Sequence, residues 1–133
     1  MIFVDTSVWI RAFRSRQTSQ AIHLTELLDR DEVALSIVVE LEILTGISSR
    51  NRADVQRSLS ALPVFRPRSD TWDNVKMWVE EAAEAGERFG VADLFVAGIA
   101  TERDAELWSL DSDFERMERL GFVRLHDAGA EAS

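Results

Sequence analysis

An α/β fold with a mostly parallel sheet covered on both faces is the class this sequence predicts, and three observations predict it. Short apolar runs of strand length recur along the chain, at Ile2 to Val4, Val33 to Leu35 and Leu62 to Phe65, with a further strand at Glu106 to Leu110. Stretches of helical periodicity separate them, and strands separated by helices pair in parallel. At 133 residues the chain fits one domain, residues 1–133, large enough to bury a core without staples.

Taken in order, Ile2, Phe3 and Val4 form a fully buried first strand that runs straight into Asp5, Thr6 and Ser7. Thr18 to Arg30 is helical, with Ile22, Leu24, Leu27 and Leu28 on its apolar face. After the strand at Val33 to Leu35, Ser36 caps a helix that continues to about Ile47, and Asn51 caps another from about Arg52 to Ala61. Beyond the strand at Leu62 to Phe65, Ser69 and Asp70 offer caps for a long helix with Trp72, Val75, Val79, Ala82 and Ala83 along one side. Gly86 and Gly90 punctuate its end. A helix from about Val91 to Arg103, the strand at Glu106 to Leu110, a short helix to about Leu120 and a last apolar piece, Phe122 to Leu125, follow.

The net charge of −9 argues against a protein that grips nucleic acid through a broad cationic face, because phosphate neutralisation requires clustered Lys or Arg. Nucleic acid as a substrate stays open. Lys76 is the only lysine, and the arginines fall in short groups (Arg11, Arg14 and Arg16; Arg50 and Arg52; Arg66 and Arg68) that either steer phosphates or serve as solvated surface. Cysteine is absent, which removes disulfides and thiolate metal sites and favours a reducing, intracellular setting. No apolar run reaches the roughly 18 residues of a membrane span, and the first residues lack the charge and long apolar stretch of a signal segment. A cytoplasmic protein with no membrane partner is the expectation.

In an open parallel sheet, ligands bind beyond the carboxyl ends of the strands, so an acid that closes an apolar strand marks a candidate site. Asp5 does so, and is equally suited to cap the turn that follows. LWSLDSDF repeats the pattern with Asp111 and Asp113, where Ser112 and Glu115 also fit a capping box. Neighbouring parallel strands would bring such acids to one edge. In SIVVELEILTG, Glu40 and Glu42 lie about 200° apart on a helix and face different sides. Gly46, four residues after Glu42, admits close approach of a backbone or ligand. GVADLFVAGIA places Asp93 in the first turn of a largely apolar helix, where the helix dipole alone would favour it. Carboxylates in apolar surroundings are costly without a compensating cation. With no cysteine, and with His23 and His126 far apart in sequence, zinc has little to bind. All-oxygen ligation suits Mg²⁺ or Mn²⁺, which retain waters and take phosphate oxygens.

The order VDTS, ELEILTG, VADLFVAGIA and LWSLDSDF, spread over essentially the whole chain, resembles that of the PIN-domain ribonucleases, specifically the toxins of VapBC-type bacterial toxin–antitoxin pairs. The resemblance implies a PIN-like three-layer sandwich, with a central, mostly parallel five-stranded sheet flanked by helices, and Mg²⁺- or Mn²⁺-dependent cleavage of RNA. Carried over by position, it implies Asp5 as the first acid with Thr6 or Ser7 supporting it, Glu42 as the glutamate, Asp93 as the third acid and Asp111 or Asp113 as the fourth. Glu40 lies outside the pattern and is at most accessory. A metal ion held by these acids would orient and acidify a water for in-line attack on a phosphodiester. Arg11, Arg14 or Arg88 would then supply phosphate contacts. The resemblance also implies a homodimer and a hetero-oligomer with a cognate VapB-type antitoxin, which lays a helix on an apolar groove and places an arginine among the carboxylates. A guanidinium suits that place because it forks onto a carboxylate.

Three other readings are weaker on the residues. A receiver-like Mg²⁺-binding domain needs a lysine at the strand ends, and Lys76 lies inside the long helix. A haloacid-dehalogenase phosphatase needs an Asp-x-Asp pair after the first strand, where Asp5 is followed by Thr6 and Ser7. A non-enzymatic acidic binding module requires every acid to be explained separately as a cap or a surface charge.

Overall fold

Residues 1–129 are described by a computed structural model. Ile2 to Val4 forms β1 and Val33 to Ser36 forms β2, each buried along its whole length. Two short strands join them, β3 (Val64–Phe65) and β4 (Glu106–Trp108), giving a parallel sheet in the order β3-β2-β1-β4. Val4 pairs with Trp108 in the register of β1 and β4, so the next residues, Asp5 and Ser109, emerge side by side at the carboxyl edge.

The five-stranded sheet implied by the resemblance has four strands among the described residues. Phe122 and Val123 turn into the core, Phe122 stacking on Trp78, instead of running along β4. Only the residues after them reach the ladder, where Leu125 makes a single parallel bridge to Leu107.

The helices are α1 (Thr6–Arg14), α2 (Ser19–Asp29), α3 (Ile37–Gly46), α4 (Ser49–Ser60), α5 (Ser69–Glu84), α6 (Val91–Glu102) and α7 (Ser112–Arg119). They flank the sheet as expected, with several differences of detail. Thr6 to Arg14, where only a turn was expected, is a full helix that buries Val8 and Trp9. Thr18, expected within the helix, is instead the N-cap of α2 and accepts the Ala21 N–H, while Ile22 points to solvent and Ala21 takes its place in the core beside Leu24 and Leu27. Ser36 caps α3 by accepting the Val38 N–H. The helix expected after Asn51 begins at Ser49, placing Asn51 inside the first turn. On α5 the buried line is Thr71, Val75, Trp78 and Ala82, which leaves Trp72 and Val79 exposed. There the N-terminal bond comes from Thr71, whose Oγ1 accepts the Arg68 N–H, and not from Ser69 or Asp70.

The core centres on α6, buried without a break from Leu94 to Ala100. α5 lies across it at Gly98, where an added Cβ would stand 3.2 Å from Thr71 Cγ2. His23 and His126, distant in sequence, meet in the fold: their Nε2 atoms are 2.9 Å apart, both rings are buried, and His126 Nδ1 lies 3.1 Å from Glu106 Oε1. The pair links α2 to the segment after α7, against Trp108. Among the described residues, no helix is long and apolar enough to cross a membrane.

Candidate metal centre at the carboxyl edge of the sheet

Three helix N-termini converge where β1 and β4 end, and each brings acid. Asp5 closes β1 and caps α1, Asp93 occupies the first turn of α6, and Asp111 caps α7 with Asp113 one turn-position inside it. α3 adds Glu42 from its second turn. Asp5 is therefore both the helix cap and the strand-end acid that the sequence left as alternatives.

Each of four carboxylates is restrained through one oxygen. Asp5 Oδ2 accepts from Ser7 Oγ and Ser109 Oγ, both at 2.8 Å, and more distantly from the Ser7 N–H at 3.5 Å. Glu42 Oε1 accepts from Thr6 Oγ1 at 2.9 Å, a bond that joins α1 to α3. Asp111 Oδ1 accepts the Asp113 N–H at 2.9 Å. Asp113 Oδ1 accepts from Arg116 Nη2, and Arg116 Nη1 donates to Glu87. Thr6 and Ser7, offered together as supports for the first acid, thus divide the work: Ser7 holds Asp5 and Thr6 holds Glu42.

Asp93 differs, since among the described residues no hydrogen-bond donor reaches its carboxylate. Burial first, then the charges of Asp5, Asp111, Glu42 and Asp113, push its pKa up from 3.8 to about 6. A helix N-terminus acts in the opposite direction, so desolvation and crowding outweigh it. Ligand oxygens of Asp93, Asp111 and Asp113 lie within 4.8 Å of one another. A donor set made only of carboxylate oxygens fits a hard divalent cation, and a cation is what such crowding lacks. Asp93, Asp111 and Asp113 would hold it, with Asp5 and Glu42 beside them.

Among the described residues, none of the remaining candidates is hydrogen-bonded or ion-paired to these acids. Glu40 projects from another side of α3, in line with its 200° offset of about two residues. Arg11 and Arg14 sit toward the far end of α1, about 9 and 13 Å from Asp5 at 1.5 Å per residue, and Arg14 lines a groove of about 410 Å³ formed with α3 and α4. Arg88 is exposed in the segment leading into α6. The sequence reading missed Ser109, Arg116 and Glu87. Ser109 carried a signal, a small hydroxyl at the strand end two residues before Asp111, and Arg116 another, its i,i+3 spacing from Asp113. Glu87 had none, because its contact with Arg116 spans 29 residues.

A parallel α/β sheet with acids gathered beyond its strand ends defines the class: an α/β domain with an acidic edge. The chain belongs to the PIN domain family, whose model matches residues 2–120. Two Mycobacterium tuberculosis proteins are similar along nearly their full lengths. Ribonuclease VapC11 is 26% identical over 125 residues, covering 90% of this chain and 93% of its own. Ribonuclease VapC5 is 26% identical over 132 residues, covering 92% and 91%. In fold, the chain is similar to a structure of VapBC2 from Rickettsia felis bound to a DNA fragment from its promoter, with a TM-score of 0.80 at 21% identity over 95% of this chain and 98% of that one.

Proposed function

We propose that this chain is a metal-dependent endoribonuclease, the toxin of a type II toxin–antitoxin pair, which hydrolyses phosphodiester bonds of RNA in the cytoplasm. One observation carries the reading: carboxylates from separate elements meet at one edge, crowded enough to raise Asp93 to about 6. Membership of the PIN family and the similarity to two proteins named ribonucleases support it.

Asp5, Glu42, Asp93 and Asp111 are the catalytic acids in this reading, and Asp113 joins them in holding Mg²⁺, for which Mn²⁺ substitutes. The bound cation supplies a Lewis acid for the phosphate and lowers the pKa of an attacking water. Ser7, Ser109 and Thr6 keep Asp5 and Glu42 from swinging out as the charge balance changes. Arg11, Arg14 and Arg88 offer the phosphate contacts that position an RNA strand. The groove lined by Ile10, Phe13, Ile43, Ile47 and Val55 receives an apolar antitoxin helix, and the exposed Trp72 and Val79 of α5 provide apolar surface for a homodimer.

Total RNA incubated with the protein, with and without Mn²⁺, tests this directly. Asp5→Asn, Glu42→Gln and Asp93→Asn should each lower the cleavage rate by about 10²-fold or more, the scale of losing electrostatic stabilisation at a reacting centre. Glu40→Gln should retain activity. Cleavage that is indifferent to metal, or a fully active Asp93→Asn, would refute the assignment.

A further inference from the structure

Arg116 is the one arginine of the described residues seen ion-paired to an acid of the cluster. It stands at the C-terminal turn of α7, with its guanidinium shared between Asp113 of its own helix and Glu87 of the segment that leads into α6. The same group lies over the ring of Phe89, 5.2 Å from its centroid, and Phe89 is buried. All three charged side chains are about one-third exposed, so the pairing is partly shielded from solvent.

That placement matters because the tight part of the acidic cluster is split between two elements. Asp93 belongs to α6, which begins just after Phe89 and Gly90, while Asp111 and Asp113 belong to α7. Arg116 ties the lead-in of the first to the body of the second. Both acids of α7 are restrained, Asp113 Oδ1 by Arg116 and Asp111 Oδ1 independently by the backbone N–H of Asp113. One oxygen of each acid is occupied and the other stays available to a cation.

We propose that Arg116 is a positioning residue for the metal centre, a fork anchored on Glu87 and Phe89 that sets the Asp111/Asp113 pair at ligating distance from Asp93. This deepens the function proposed above and rests on its reading of the carboxylates as ligands. Residues that orient metal ligands typically change metal affinity by 10–100-fold when removed. A planar fork that holds two carboxylates at once is a property of arginine and not of lysine.

Charge alone predicts the opposite sign, which makes the proposal decidable. Arg116→Gln deletes a cation beside the acids, so a purely electrostatic role would leave Mn²⁺ bound more tightly than in wild type. Positioning predicts Mn²⁺ bound about 10-fold or more weakly, as read by electron paramagnetic resonance of free Mn²⁺ with no RNA present. Arg116→Lys restores the charge without the fork and should recover little of the loss. Glu87→Gln should weaken binding in the same direction, and the double variant should lose no more than Arg116→Gln alone, as expected for residues acting through one contact. Circular dichroism in EDTA establishes that each variant is folded. If Arg116→Gln does not fold, Arg116→Lys and Glu87→Gln decide, and wild-type Mn²⁺ affinity in both overturns the proposal. Equal or tighter binding by a folded Arg116→Gln overturns it as well, while leaving the metal centre standing. A wild-type protein that takes up no Mn²⁺ removes both the metal centre and the role proposed for Arg116.

Discussion

Asp93 occupies a helix position where a carboxylate is ordinarily favoured by a few tenths to about 1 kcal/mol, yet its pKa lies near 6 instead of 3.8. The causes are burial and the acids around it, so the folded apo chain holds this proton more tightly than the unfolded one. Below about pH 4 both states are protonated there. As pH rises from that point to about 6, the unfolded chain releases the proton first and the fold loses stability; above 6 the loss is complete and persists. Melting temperatures in EDTA across pH 4 to 7 should therefore fall more steeply for wild type than for Asp93→Asn, which has no proton to release. Parallel curves for the two proteins would mean that Asp93 feels no such crowding.

Helix α6 owes its place to having almost no polar face: only Asp93 and the ends of the helix interrupt it, and the sheet and α5 cover the rest. Gly98 is the crossing point with α5. Alanine there would gain about 1 kcal/mol in helix propensity, but its Cβ would press on Thr71 Cγ2 at 3.2 Å. Thr71 cannot yield easily, because its hydroxyl is bonded to the Arg68 N–H and to Glu102. Overpacking costs roughly 1–3 kcal/mol, so Gly98→Ala should lower the melting temperature, and a rise would show that α5 shifts freely. Elements of this kind were legible from sequence because burial all round, or a cap such as Ser36, is written in neighbouring residues. The face of α5 was misread for the converse reason: Trp72 and Val79 are apolar yet exposed, and of the two residues that replace them in the core line, Thr71 and Trp78, the first is polar but satisfied. The acids of the site were legible because they interrupt apolar runs, each visible within its own segment. Ser109, Arg116 and the His23–His126 contact act between segments up to 104 residues apart, and no local pattern records them.

At the scale of the whole molecule, a chain of net charge −9 concentrates acids from β1, α3, α6 and α7 at one edge. Like charges held together raise one another's pKa and weaken the fold until a cation joins them. In the proposed function, metal binding and folding stability are two readings of a single cluster, so metal should stabilise the native state by RT ln(1 + [L]/Kd). The most direct measurement is a set of four thermal melts near neutral pH, wild type and Asp93→Asn, each in EDTA and in millimolar Mn²⁺. The carboxylate account predicts that Asp93→Asn melts at or above wild type in EDTA, because repulsion is relieved, and loses most of the Mn²⁺-induced rise that wild type shows. A mutant destabilised equally in both buffers, with its response to Mn²⁺ intact, would mean that Asp93 is a helix-terminal charge and no part of a metal centre.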